Sequence, residues 1–465
     1  GDSSLSSPLE WSDAHVGEAF AEQFDEQWCY VTAWKKWMRW DGCHWAADTT
    51  EAIHEAARKW VIAHAVKMMS TPGDNSADLK KVWGYKRKGA IENIVAIARR
   101  IVAVEPSAFD THPHLLNARN GTIDLRTGQL LDHDPALMLT KLADAEYHPD
   151  ATHVDVNSVL DCMTPAVQET MSQLLGAAAS GVTGSDLLAV FDGSGANGKT
   201  TVLLAASGAL GDYADPIPAP LVMSTGRDEH PHVYETLRGL RLAYIEETEE
   251  DGGLRLERVK ALTGGAPIQA RPMGGSYYTF EPTHSLVIAT NHRPIVNSAE
   301  YAIWRRLKLI PFPYTYGTEP HHRPIDPGLR IRVAQGAAQR SAMLAWIVNG
   351  AIVAYRNGGG AVPVIEWCEE IIAATAEWKA AEDVIGRFIA ERINVFDSPA
   401  RQEEKGTAVF AAYKEWCDGE GRPAGQAKNF HRKFEAHIMI GTERRFQRQN
   451  AVWYSGIEVK PYISS

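Results

Sequence analysis

The chain has 465 residues, an ordinary balance of apolar and charged residues, and a formal net charge of −11. This length exceeds what one hydrophobic core usually supports, so we expect several domains. The acidic balance excludes a protein whose whole surface coats nucleic acid, and the five scattered cysteines with no CxxC pair argue against a disulfide framework or a cysteine zinc site.

The first 150 residues predict a domain that mixes helices and strands. Tryptophans are concentrated in the first ninety residues, and the segment 30–45 predicts two strands around an Asp41-Gly42 turn. The segment 114–133 predicts a β-hairpin in which residues 122–125 pair with residues 129–131. We interpret the aromatic residues chiefly as packing, although exposed rings can also stack on bases.

The segment 186–201, DLLAVFDGSGANGKTT, predicts a buried strand, a glycine-rich loop and the start of a helix. It contains the phosphate-binding pattern G-x-x-x-x-G-K-[ST] in the context that this pattern requires. Lys199 would contact the β- and γ-phosphates of ATP, and the Thr200 hydroxyl would bind Mg²⁺. The predicted nucleotide-binding residues are Gly193, Ser194, Gly195, Ala196, Asn197, Gly198, Lys199, Thr200 and Thr201.

The same glycines also match G-x-G-x-x-G, the dinucleotide-binding pattern. Asp212 and Asp215 lie at about the distance, roughly 20 residues, at which that pattern needs a ribose-binding acid. The surrounding segment is polar and interrupted by prolines, so no strand is predicted to carry either acid. The following Lys-Thr pair, which a dinucleotide site does not need, favours a nucleoside triphosphate.

Polar residues end two further apolar segments. The segment 240–247 ends in Glu246 and Glu247, of which Glu246 would complete the Mg²⁺ site while the second acid orients the attacking water. The apolar segment 285–290 is followed by Asn291, whose amide could sense the γ-phosphate. Arg305 and Arg306 precede another strand and could be supplied to a neighbouring nucleotide site.

The segments GSGANGKT, LAYIEE, KALTGGAPIQAR, IATNHRP and WRRLKLIPF, in this order and spacing, resemble superfamily 3 helicases of the phage, plasmid and poxvirus-type primase–helicase family. The resemblance implies an α/β fold with an AAA+-type P-loop ATPase core, a homo-hexameric ring around one DNA strand and 3′ to 5′ translocation. It also implies that the hairpin before Asn291 lines the pore, with Lys260 and Arg271 as DNA contacts and residues 273–276 at the tip. Family members often carry a primase domain upstream, so a primase and other replication proteins are expected partners.

The last part of the chain predicts three helices over 382–393, 407–419 and 428–438, followed by strands over 445–447 and 452–454. This order is typical of a winged-helix domain. Its third helix is basic, and Lys428, Arg432 and Lys433 are the expected DNA contacts. Packing against another protein is the alternative use of this domain.

We therefore expect an N-terminal α+β accessory domain over 1–150, a superfamily 3 AAA+ ATPase domain over 151–345, a helical connection over 346–380 and a winged-helix domain over 381–465. The predicted function is an ATP-dependent replicative DNA helicase in the cytoplasm, or in the host cytoplasm if viral, with no membrane partner. A P-loop kinase and an origin-binding initiator or scaffold remain alternatives. The arginine pair and the hairpin argue against the kinase, and the paired acids argue against a purely structural ATP switch.

Overall fold

The computed structural model describes residues 12–70, 76–182, 186–224, 231–246, 252–271, 277–296, 301–398, 402–438 and 444–461. The chain divides into two compact units. The first comprises Gly1–Pro294 with Arg306–Ile372, and the second comprises Ile295–Arg305 with Ala373–Ser465. Within the ranges just given, no helix combines the length and apolarity that crossing a membrane requires.

The first unit begins with helices beside a small antiparallel sheet. Its elements are α1 (Asp13–Phe24), β1 (Trp28–Val31), β2 (Lys36–Trp40), β3 (Trp45–Ala47), α2 (Ala52–Ser70), α3 (Ser76–Gly84) and α4 (Lys88–Ile101). The strands pair in the order β1-β2-β3, and the predicted Asp41-Gly42 turn lies between β2 and β3. Trp28, Trp45 and Trp60 are all buried, which confirms the packing interpretation for these three rings.

A second antiparallel sheet follows. Its strands β4 (Leu115–Ala118), β5 (Gly121–Asp124) and β6 (Gln129–Leu131) pair in chain order. Residues 122–124 of β5 lie opposite residues 129–131 of β6, which confirms the hairpin predicted from the sequence.

The remainder of the first unit is built around a five-stranded sheet. The elements along this part of the chain are α5 (Val154–Leu160), α6 (Pro165–Ala179), β7 (Leu188–Asp192), α7 (Lys199–Leu210), β8 (Ala214–Pro216), β9 (Leu242–Glu246), α8 (Leu256–Thr263), β10 (Ile268–Ala270), β11 (Tyr278–Phe280), β12 (Ser285–Thr290), α9 (Tyr301–Trp304, in the second unit), β13 (Leu307–Pro311), α10 (Leu329–Gln335) and α11 (Ala337–Asn357). Strands β10 and β11 form a separate antiparallel hairpin. The large sheet has the order β13-β7-β12-β9-β8, and all of its pairings are parallel.

The register of this sheet brings the strand ends together. Residues 188–191 of β7 are completely buried, as a strand covered on both faces should be. Asp192 at the end of β7 lies opposite Thr290 at the end of β12, and Glu246 at the end of β9 lies opposite Ala289. The residues that follow β7, β9 and β12 therefore share one edge of the sheet.

Helices α6 and α11 pack closely against each other. A Cβ atom on Gly176 of α6 would lie 2.1 Å from the backbone nitrogen of Ala351, and one on Gly350 of α11 would lie 1.9 Å from the carbonyl oxygen of Ser172. Only glycine permits this approach. Helix α11 also continues across the expected boundary at 345/346, and the division into four domains stays a prediction.

The second unit has its own core. Besides α9 it contains α12 (Glu369–Glu382, beginning in the first unit), α13 (Val384–Arg392), β14 (Ile393–Val395), β15 (Glu403–Lys405), α14 (Gly406–Gly419), α15 (Ala427–Ile438), β16 (Arg445–Arg448), β17 (Ala451–Ser455) and β18 (Ile457–Val459). The three helices and two strands predicted here are confirmed. The three-residue strands β14, β15 and β18 were not predicted, because such short strands carry no periodic signal.

Candidate active site

The loop between β7 and α7 has a backbone that needs its glycines. Gly195 and Gly198 have φ angles of 106° and 85°, and Ala196 between them has a φ of 48°. A Cβ atom on Gly198 would also lie 2.9 Å from the Cβ of Cys162. Left-handed backbone in a loop that opens a helix turns N–H groups inward, which is the geometry of an anion-binding loop.

The segment after β13 holds this loop in place. The Phe312 N–H donates to the Asp192 carbonyl and the Tyr316 N–H donates to the Ala196 carbonyl, both at 2.9 Å. The buried Asn197 side chain donates to the Tyr314 carbonyl at 3.0 Å. These hydrogen bonds tie the loop to the segment that follows β13.

Lys199 is the first residue of α7 and is only 6% exposed. Its ammonium group donates to the Gly193 carbonyl at 2.6 Å and to the Asn291 side-chain oxygen at 3.1 Å. Burial lowers the pKa of Lys199, and the nearby Asp192 carboxylate opposes that change. An ammonium held in this way is positioned to exchange its two neutral partners for an anion.

The sheet edge brings together several of the predicted residues. Asn291 contacts Lys199 directly, and Glu246 lies two strands from β7, roughly 10 Å across the sheet. The partly buried Glu246 therefore faces the same edge from the other side of Asn291. Glu247 lies outside the described residues.

A cavity of about 240 Å³ lies at this edge. Thr200 and Thr201 line it beside the loop, and Thr290 and Asn291 line it from the end of β12. Arg330 of α10 also lines it, although no sequence pattern marked this residue. Arg330 is thus an exposed cation beside the predicted phosphate site, and the sequence interpretation missed it.

A second missed feature is an ion pair beside the loop. The Arg293 guanidinium donates to the Asp192 carboxylate at 2.9 Å. Asp192 ends β7 immediately before Gly193, and Arg293 follows Asn291 by two residues. Asp192 and Arg293 each lie next to a recognised motif, and this proximity was the sequence signal that could have indicated the pair.

A larger cavity of about 530 Å³ adjoins the other side of the loop. Ala196, Gly198 and Thr201 form its inner wall, while Cys162 and Tyr316 contribute apolar surface. Burial raises the pKa of the Cys162 thiol to about 12, so this side chain stays a neutral, apolar wall at neutral pH. The larger cavity shares Ala196, Gly198 and Thr201 with the smaller one and is less polar.

The strand order argues against the dinucleotide alternative. In that fold the strand carrying the ribose-binding acid lies beside the first strand. A short strand, β8, does carry Asp215, which the sequence interpretation did not predict. It pairs with β9, however, so β9 and β12 separate it from β7.

The residues present fit a Mg²⁺ ion that a nucleotide helps to bind. In the described part of the chain, no group of three or more His, Cys, Asp or Glu side chains could hold a metal ion by itself. Mg²⁺ is usually bound through one or two carboxylates together with substrate phosphates. Thr200 lines the cavity and Glu246 ends β9 at the same edge of the sheet, and both carry oxygen donors of the kind that such a shared site uses.

The two candidate arginines have different surroundings. The Arg306 guanidinium pairs with the Asp186 carboxylate at 2.9 Å and donates to the Thr263 hydroxyl at 3.3 Å, and its side chain is 12% exposed. It precedes β13, so it lies at the opposite edge of the sheet from Lys199, roughly 17 Å along the strand. Arg305 is exposed.

The candidate DNA contacts lie in both units. In the first unit, Lys260 is partly buried on α8 and Arg271 is exposed after β10, while the tip residues 273–276 lie outside the described residues. In the second unit, Phe430, Phe434 and Ile438 face the core from α15. Lys428 and Arg432 are exposed on the same helix, whereas Lys433 is partly buried.

Two family models and several known proteins match parts of this chain. Residues 17–170 match the family described as D5 N terminal like, and residues 191–306 match a family of unknown function (DUF5906). The apo structure of the NrS-1 C terminal region is 9% identical and has a TM-score of 0.50, with 97% of this chain and 100% of that chain covered. This likeness concerns the fold alone.

Curated relatives come from large DNA viruses. A "Putative primase" of African swine fever virus is 24% identical over 349 residues, which is 71% of this chain and 36% of the relative. A "Putative helicase" of Acanthamoeba polyphaga mimivirus is 26% identical over 251 residues, covering 51% of this chain and 26% of the relative. The chain thus spans only about a quarter to just over a third of the length of the curated relatives it matches. The D5 N terminal like segment and these relatives support the resemblance to a primase–helicase family.

Proposed function

We propose that this chain is the ATP-hydrolysing helicase part of a DNA replication protein, of the superfamily 3 type. The observation that carries the proposal is the contact between the buried Lys199 ammonium and the Asn291 amide beside a cavity. That contact joins the glycine-rich loop to the next strand end, where a triphosphate would lie. The names of the viral relatives, helicase and primase, support the same conclusion.

Each described residue has a distinct part in nucleotide binding. The loop N–H groups would cradle the β-phosphate, and Lys199 would turn from the Gly193 carbonyl to the β- and γ-phosphates. Arg330 would contact the γ-phosphate from the open side of the smaller cavity. The base and ribose would occupy the larger cavity, between Cys162 and Tyr316.

Hydrolysis requires a positioned water and a proton acceptor. Water oxygen would attack the γ-phosphorus while the bond to the β–γ bridging oxygen breaks, which yields ADP and phosphate. Glu246 or Glu247 would accept the proton from that water, and Asn291 would orient it. A bound Mg²⁺ would neutralise developing phosphate charge, with Thr200 and Glu246 as its protein donors.

We further propose that the active unit is a ring of identical subunits, with a hexamer as the expected size, around single-stranded DNA. The family resemblance supports a trans-acting arginine, and the exposed Arg305 suits that role better than Arg306, which is partly buried and paired within its own chain. Lys260 and Arg271 would face DNA in the ring. The second unit would act as a winged-helix domain, with Lys428 and Arg432 contacting phosphates from the exposed side of α15.

The test measures ATP turnover and strand displacement on a fork with a 3′ tail. Lys199→Ala should abolish both activities, whereas Asn291→Ala should lower the turnover number more than it weakens ATP binding. Lys59→Ala is the matched control, because this lysine is 73% exposed on α2. The proposal would be refuted if single-stranded DNA did not change the rate of ATP turnover, or if Lys199→Ala kept full activity.

A further inference from the structure

The outer face of the β15-β17-β16 sheet carries aromatic side chains outside the core. Neighbouring residues of a strand point to opposite faces, and Tyr454 is completely buried, so Trp453 points outward. Phe446 of β16 and Lys405 of β15 both lie opposite Trp453. Both residues are partly exposed, although the Trp453 indole N–H itself is buried, and neither residue belongs to the described hydrophobic core of this unit. These three side chains form one cross-strand row.

A guanidinium group extends this row. The Arg448 guanidinium carbon lies 5.2 Å from the centre of the Phe446 ring and 5.5 Å from the centre of the Trp453 ring. Glu403 accepts hydrogen bonds from both terminal nitrogens of Arg448, at 2.8 and 3.2 Å, and so fixes the guanidinium beside the rings. Half of the Arg448 side chain remains exposed. The face thus presents planar groups beside the positive charge of Lys405.

From this arrangement we propose that the outer sheet face binds unpaired bases of single-stranded nucleic acid, with Phe446 and Trp453 as stacking surfaces. The bases of a duplex already stack on one another, so exposed rings on a protein select unpaired ones. Residues 426–460 contain seven Lys and Arg against three Glu, and β15 adds Lys405 against Glu403 and Glu404. These segments together stay net positive in a chain of net charge −11, which complements a phosphate backbone. The inference rests on the proposed function and adds the class of ligand that this face takes.

The experiment measures binding of the full chain to a labelled oligothymidylate in the absence of nucleotide. Phe446→Leu and Trp453→Leu keep an apolar side chain but remove the ring, and each should weaken binding roughly tenfold. Phe446→Tyr keeps the ring and should bind like the unchanged protein. An abasic strand of equal length should bind the unchanged protein and the leucine variants equally, because it offers phosphates without bases.

A second measurement locates the contact directly. Oligonucleotides containing 5-iodouracil, irradiated in the complex, should form cross-links within the segment 446–453. Leucine variants that bind oligothymidylate like the unchanged protein, or cross-links that map only elsewhere, would overturn the inference. If ATP turnover and strand displacement persisted in that case, only this inference would fail. If the unchanged protein bound no DNA, the proposed function would fail with it.

Discussion

Replacing Arg306 by alanine should destabilise the fold of a single subunit before any assembly is considered. The guanidinium is bonded to Asp186 and Thr263 within its own chain. The two charged side chains are only 12% and 27% exposed, so removing one leaves the other charge largely shielded from water. Arg306 therefore stabilises the fold of its own subunit, which an arginine that acts only on a neighbouring subunit would not do.

The size of the effect follows from this burial. Breaking a fully buried ion pair by removing one partner costs roughly 3–5 kcal/mol, and exposed pairs contribute about 1 kcal/mol or less. For a pair between these limits, we expect Arg306→Ala to lower the free energy of unfolding by about 2 kcal/mol. Combining it with Asp186→Ala should cost less than the sum of the single changes, because both remove the same interaction.

The assay is urea unfolding followed by circular dichroism, with ATP turnover measured on the same samples. Arg305→Ala is the matched control and should change the free energy of unfolding by less than about 1 kcal/mol. In mixtures with unchanged protein, Arg305→Ala subunits should lower ATP turnover in neighbouring sites. An Arg306→Ala protein that unfolds like the unchanged one, while still losing turnover in mixtures, would refute this assignment.

Two further predictions concern the described core. Gly350→Ala should destabilise the chain by about 3 kcal/mol or more, because its Cβ would meet the Ser172 carbonyl, whereas Gly89→Ala meets nothing and should be neutral or stabilising in thermal unfolding. Burial lowers the pKa of His284 from 6.5 to about 4. Between these two pH values the unfolded chain binds a proton at this residue and the folded chain does not, so stability falls as the pH is lowered. Stability should therefore fall by about 2 kcal/mol between pH 7 and pH 5 through this residue. Urea unfolding at both pH values should show a smaller loss in His284→Leu, and an unchanged loss would contradict the argument.

The parts of the site that the sequence predicted are those that short segments determine. Residues 188–192, the glycine-rich loop and Lys199 form a strand, a turn and a helix start within a few residues of one another. Asn291 was predicted because it directly follows a buried strand, and parallel strands end at a common edge. The three helices and two strands predicted for the second unit agree with the structure to within two residues at each end. In α15, Phe430, Phe434 and Ile438 recur at helical spacing and are buried.

Contacts between distant segments could not be predicted in this way. Arg330 reaches the cavity because α10 lies against α7, and nothing in the residues around it indicates that packing. Arg305 and Arg306 are chemically identical neighbours, and the contacts of Arg306 with Asp186 and Thr263 depend on segments distant in the sequence. Side-chain environment depends on which segments meet, and a single sequence does not specify that.

Strand order supplied the evidence that the glycine pattern lacked. The sequence interpretation doubted the dinucleotide alternative because no strand was predicted around Asp215, yet a strand is present there. The alternative fails for a different reason, since β8 is the outermost strand and two others separate it from β7. An acid on β8 would lie roughly 14 Å from the first strand, measured by the spacing of neighbouring strands, which is too far for the ribose of a dinucleotide bound at the loop. The place beside β7 is taken instead by β12, whose end carries the asparagine that contacts Lys199, and the same pairing that excludes a dinucleotide completes the proposed triphosphate site.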